Sequence, residues 1–224
     1  MKINSLLLTL KTGQPIVQTA TMLRGFISGM FPNLHILHQH EKDGFVYIYP
    51  RVQYKIINGI AFIVTIDEGA DIVRENFDKF DKVNHLELGR IVYQIEDKAR
   101  YEKEVEFGET GRYFSYSFLT PWLALNESNY ERYQRLGSWT KRKELLEKIL
   151  IGNIISMSKG LSYTVPAPIK ANIIKLKEVQ TSLKGTPMLG FLGTFSVNFE
   201  IPDYWGIGKS VSRGFGTVKK VRQG

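Results

Sequence analysis

The chain has 224 residues, 43% of them hydrophobic and 12% aromatic, and contains no cysteine. That length suits one large domain or two of about 110 residues, and the missing thiols exclude cysteine nucleophiles, disulfides and thiolate zinc sites. Thirty Lys and Arg against 22 Asp and Glu give a formal net charge of +8, which favours polyanionic partners.

Residues 2–10 read as a first strand closed by Thr12-Gly13. Lys11 interrupts the leucine run, and no apolar stretch approaches the roughly 20 residues of a membrane span, so a cytoplasmic protein is expected. A helix is predicted over 15–30, with Pro15 in its first turn and Ile16, Ala20, Leu23 and Ile27 at helical spacing. A polar segment with His35, His38 and His40 follows, ending in the turn signal Asp43-Gly44. FVYIYP and VQYKII read as strands, and Asn58-Gly59 as a hairpin turn into AFIVTI. EGADIVRENFDKF reads as one helix with Ile72, Phe77 and Phe80 facing the core, and HLELGRIVYQIED and its continuation as strand. Strand, helix, strands, helix, strand is the order of a ferredoxin-like unit with an antiparallel sheet.

The second half opens near Gly108–Gly111 with a strand running to Pro121. Two helices follow. In the second, Leu145, Leu146, Ile149, Leu150, Ile154 and Met157 make an apolar stripe, with Lys141, Arg142, Lys143 and Lys148 largely opposite. ANIIKLKEVQTSL, a turn at 184–187 and FLGTFSVNFEIP then read as strands. The expected architecture is α+β: two tandem ferredoxin-like (RRM-like) domains with antiparallel sheets, at 1–108 and 109–224.

Charge is regional. Residues 205–224 hold Lys209, Arg213, Lys219, Lys220 and Arg222 and no acid, and 132–159 holds seven basic residues against Glu144 and Glu147. Within YWGIGKSVSRGFGTVKK, residues 204–220, Gly206, Gly208, Gly214 and Gly216 form two G-x-G units around Lys209, Ser210, Ser212 and Arg213. Glycine permits positive φ and close approach of backbone amides to a phosphate, and the hydroxyls and cations add donors. A nucleotide P-loop fails here. Its first glycine falls on Asp203, and 14 residues after Ser210 are too few for the helix and strand it needs. Trp205 and Phe215 flank the loop as candidates either for stacking on bases or for packing beneath it.

This tail, together with the front segment LRGF, FP, LHQH and GFVYIYPRVQYKIING, resembles the CRISPR RNA-processing endoribonucleases of the sixth Cas family, subtype B group, within the RAMP superfamily. The resemblance spans nearly the whole chain in order and length. It implies recognition of CRISPR repeat RNA in a precursor transcript. One metal-independent cut per repeat is implied, with products ending in a 2′,3′-cyclic phosphate and delivery of the cut RNA to a CRISPR surveillance complex. No cofactor is expected, and either a monomer or a homodimer fits. The alternative is a non-catalytic RNA-binding RAMP subunit whose histidines are incidental.

Cutting RNA without a metal requires a base for the 2′-hydroxyl proton and an acid for the leaving 5′-oxygen, and histidine near its pKa of about 6.5 serves both. His38 and His40 are two residues apart and share a face if the segment is extended. His40 is expected as the principal acid or base with His38 as partner, Tyr47 as an orienting phenol and Lys42 as a stabiliser of developing charge; which histidine donates stays open. A metal on the H-x-H pair would need Glu41 or Asp43 as a further ligand. His85 stands apart and reads as structural. Arg24 on the first helix fits a solvated role and an RNA contact equally well.

Overall fold

The computed structural model describes residues 1–38 and 49–222, His38 through its backbone alone. The predicted strand over 45–50 therefore falls largely outside the described residues. The chain forms two compact units, one of 2–105 with Val211–Gly214, the other of residue 1, 106–210 and 215–224. Both are α+β with antiparallel sheets.

In the first unit a five-stranded sheet has the order β2-β3-β1-β5-β4, built from β1 (Lys2–Thr12), β2 (Val52–Ile57), β3 (Ile60–Ile66), β4 (His85–Leu88) and β5 (Ile91–Glu106). With β5 as fourth strand this is the ferredoxin-like order, and β4 adds an outer edge. Asn58 and Gly59, at φ 51° and 76°, make the two-residue turn that sets the β2–β3 register. Leu6, Leu8 and Leu10 alternate on β1 toward one core, where they meet Leu23 and Ile27 of α1 (Ala20–Met30).

Helix α1 starts later than its apolar spacing predicts. Ile16 N donates to the Gly59 carbonyl at 2.9 Å, so Pro15 and Ile16 lie outside the helix, against the hairpin tip. Thr19 then caps the helix, its hydroxyl accepting from Met22 N. A four-residue helix, α2 (His35–His38), follows.

The single helix expected over 68–80 is two, α3 (Glu68–Glu75) and α4 (Phe77–Asp81). Asn76 breaks it: its side chain donates to the Ile72 carbonyl at 2.8 Å, the competition with backbone bonding that disfavours Asn inside helices. Phe80 is buried as expected, Ile72 and Phe77 are half-buried, and Val73 and Ala70 take the remaining core positions. Gly89 turns β4 into β5.

The second unit has a four-stranded sheet of order β7-β8-β6-β9, from β6 (Gly108–Phe118), β7 (Ala171–Leu183), β8 (Thr186–Glu200) and β9 (Val218–Lys220). Between β6 and β7 come α5 (Glu127–Arg135), capped by Asn126, and α6 (Trp139–Gly160), capped by Ser138. Leu145, Leu146, Leu150, Ile154 and Met157 of the predicted stripe are buried. Each contributes roughly 1.5–3 kcal/mol, against about 1 kcal/mol for the cap, so packing rather than capping holds α6. An aromatic chain of Tyr116, Phe195, Phe118, Trp122 and Phe191 fills the core with successive ring centroids 5.0–6.1 Å apart.

Strands β8 and β9 both run antiparallel to β6, hence parallel to each other. A parallel pair needs a crossover connection, usually a helix. Here residues 201–217 make that crossover with only a 3-10 turn at Val211–Arg213. The glycine-rich segment thus stands where a ferredoxin-like unit ordinarily has its second helix.

Candidate nucleic-acid interface

The crossover is tied down at both stems. Ile207 N donates to the Gly216 carbonyl and Gly216 N to the Pro121 carbonyl, both at 2.9 Å, while Gly206 bridges Thr217. Gly208, Gly214 and Gly216 have φ of 91°, 89° and 63°. A Cβ at Gly208 would stand 2.8 Å from Trp122 Nε1, which itself donates to Asn153 Oδ1 at 3.0 Å. At Gly214 it would stand 2.7 Å from Ala20 Cβ, and at Gly216 it would run into the Ile207 carbonyl. The close approaches glycine allows here are to the protein itself, and the Gly214 and Gly216 amides are spent internally, on Val211 and Pro121. What the loop offers outward is Lys209, exposed at a turn held by the positive φ of Ser210, and half-exposed Arg213.

Val211–Gly214 belongs to the first unit, against α1 and β2. Ser212 is buried there and its hydroxyl accepts from Arg24 Nη1 at 3.2 Å. Burial and, second, the neighbouring Arg213 guanidinium hold the Arg24 pKa below its ordinary value. Neither α1 nor residues 204–224 contain an acid. Two guanidiniums held near each other on acid-free elements raise the positive potential, the arrangement that suits a phosphate oxygen. Sequence reading left Arg24 undecided between solvent and RNA; the missing acid on its helix was the available signal.

From the same helix, Ser28 Oγ donates to the Leu37 carbonyl at 2.9 Å, and Tyr54 Oη on β2 donates to it at 3.3 Å. Burial drives the Tyr54 pKa well above its ordinary value, so the phenol stays a donor. The backbone immediately before His38 is therefore held by two buried hydroxyls. The His38 side chain, His40, Lys42 and Tyr47 lie outside the described residues. His85 opens β4, its Nδ1 2.8 Å from Asn84 Oδ1 and its ring edge-on to Phe26.

Trp205 is fully buried beside Phe107, at a centroid distance of 5.8 Å, and packs rather than stacks on a ligand. Several cations of the basic regions are engaged within their own unit. Lys220 Nζ donates to Glu200 Oε1 at 2.6 Å, Arg142 lies over the Tyr133 ring, and Lys143 donates to Asn172. Lys55 on β2 escaped the sequence reading altogether. It is fully buried, donates to Gln53 Oε1 at 3.1 Å, and desolvation lowers its pKa to about 7. No helix among the described residues is long and apolar enough to cross a membrane.

Comparison with known proteins agrees with this architecture along the whole chain. Residues 1–106 match the Cas6b N-terminal domain and 108–221 the Cas6b C-terminal domain. An uncharacterized protein of Methanocaldococcus jannaschii is 45% identical over 141 residues, 63% of this chain and 95% of that protein. A crystal structure of Cas6b superposes with a TM-score of 0.87 at 36% identity, covering 99% of this chain and 100% of the other. The crystal structure of a CRISPR RNA processing endoribonuclease Cas6b gives 0.76 at 34% identity, over 99% and 100%. The chain belongs to the Cas6b family.

Proposed function

We propose that this chain is a CRISPR RNA-processing endoribonuclease that cuts a precursor transcript once within each repeat. The observation that carries the reading is the hydrogen bond from Arg24 to Ser212, next to Arg213, which holds the tip of the glycine-rich crossover against the helix that leads into the histidine segment. Membership of the Cas6b family and likeness to a structure of an RNA-processing Cas6b support it.

In this reading phosphates of the RNA backbone meet Arg213 and Arg24 of the first unit, and Lys209 is a further RNA-binding cation. The 2′-hydroxyl gives its proton to an imidazole and its oxygen bonds to the adjacent phosphorus. The phosphorus–5′-oxygen bond breaks, and a second imidazole protonates the departing oxygen. The products are a 2′,3′-cyclic phosphate and a free 5′-hydroxyl, and no metal takes part. His40 is assigned as principal acid or base, His38 as its partner, Tyr47 as the orienting phenol and Lys42 as a cation for the developing charge. DNA, lacking the 2′-hydroxyl, is inert. The cut RNA then passes to a CRISPR surveillance complex, with the protein acting from the cytoplasm as a monomer or homodimer.

The test is cleavage of labelled repeat RNA in excess chelator by wild type, His40→Ala and His38→Ala. Wild type should cut at one position while each variant slows by about 100-fold or more, the usual contribution of a general acid or base. Repeat RNA that stays intact while tightly bound would leave the non-catalytic RAMP-subunit reading instead. Wild-type cleavage with both variants equally active would overturn the residue assignment alone.

A further inference from the structure

The second unit holds a cavity of about 410 Å³ between α5, the β7–β8 hairpin and the glycine-rich crossover. Tyr130 and Gln134, one turn apart on α5, line one wall, and Glu178 and Gln180, two apart on β7, line the other. Leu189, paired opposite Gln180, belongs to its apolar part, and Lys209 of the crossover completes the lining. Tyr133 Oη donates to Glu178 Oε1 at 2.7 Å and so fixes the carboxylate. Tyr130 is 44% exposed, a large ring left at the cavity instead of in the core.

Glu127 and Glu178, the latter held by Tyr133 and by Arg142 at 3.7 Å, put acceptors rather than cations on most of the cavity wall, which suits a phosphate poorly. It suits the flat apolar faces and polar edge of a base. The aromatic ring offers a stacking surface, the amides of Gln134 and Gln180 can donate or accept, and the fixed carboxylate accepts from an amino group. Lys209 is placed for the phosphate next to that base. Sequence-selective reading of RNA relies on such splayed, stacked and edge-bonded bases.

We infer that this cavity takes one unpaired, amino-bearing base of the bound repeat, stacked on Tyr130 and read by Glu178 and Gln180, so that it helps to set which repeat is recognised. The inference rests on the endoribonuclease reading above, since it needs RNA on the crossover. Uracil, with no amino group, is disfavoured at that position.

The test measures affinity and cleavage for the native repeat RNA and for a series carrying an abasic nucleotide at each position in turn. Wild type should lose roughly 5- to 150-fold in affinity at one unpaired position, the range of a single base–aromatic stack. Tyr130→Ala should show that loss on native RNA and no further loss at that position, and Tyr130→Phe should restore the wild-type pattern. Tyr130→Ala binding native RNA as tightly as wild type, or losing as much as wild type at every abasic position, overturns the cavity assignment while cleavage by wild type preserves the broader reading. Wild type that neither binds nor cuts the repeat overturns both.

Discussion

Arg24 Nη1 donates to Ser212 Oγ at 3.2 Å across 188 residues of sequence, and Arg213 follows directly on the loop. Burial first, and then the like charge of Arg213, hold the Arg24 pKa below its ordinary value. A phosphate oxygen beside the two guanidiniums would offset that like-charge repulsion.

Arg24→Gln is expected to weaken repeat-RNA binding by about 10-fold and to reduce the slope of log affinity against log salt by about one, the signature of one lost phosphate contact. Titrations at several salt concentrations check this. An unchanged slope would mean that Arg24 only positions Ser212.

The Leu37 carbonyl gives a second handle. Tyr54→Phe removes one of its two buried donors and should cost about 1 kcal/mol of stability. Combined with Ser28→Ala, it leaves that carbonyl without either hydroxyl, and cleavage should fall several-fold more than affinity, because the chain before His38 loses its anchors. Denaturant melts and single-turnover cleavage separate the two effects.

Two glycines should respond in opposite directions. Gly216→Ala places a Cβ into the Ile207 carbonyl at a φ of 63° and should destabilise by about 2–4 kcal/mol. Gly152 lies on exposed α6 surface with nothing near its added Cβ, so Gly152→Ala should stabilise by about 0.5–1 kcal/mol. Thermal unfolding of both variants is the measurement.

Lys55 makes stability depend on pH. Its folded pKa, about 7, lies below its ordinary 10.5, so between those values the unfolded chain binds the extra proton and stability rises with pH. Lys55→Met should therefore stabilise most at pH 6–7, by about 4 kcal/mol, and the gain should shrink as pH approaches 10.5. Unfolding midpoints across that range decide it, and a pH-independent gain would show that Lys55 is charged in the folded protein throughout.

Local signals carried the sequence a long way. Alternation on β1, the Asn58-Gly59 turn and the stripe of α6 each arise within a few residues, where a period of 2 or 3.6 dictates which side chains share a face. The two-domain α+β class follows from the order of those elements, and the acid-free basic tail from composition alone. Pro15 and Asn76 went differently because each answers to a competitor outside its local pattern, a hairpin tip and a carbonyl one turn back, while Trp205, open between stacking and packing, is settled by an aromatic core.

The sequence by itself determined the Asn58-Gly59 hairpin, the alternation on β1, the apolar stripe of α6 and the sign of the charge, since these depend on near neighbours and on residue type. Only the tertiary structure decided that the crossover's glycines serve close packing, that Arg24 meets Ser212 and Arg213, and that Lys55 is buried. Those are contacts between residues far apart in the chain. Burial and repulsion there depend on which surfaces the fold brings together, and no local periodicity encodes that.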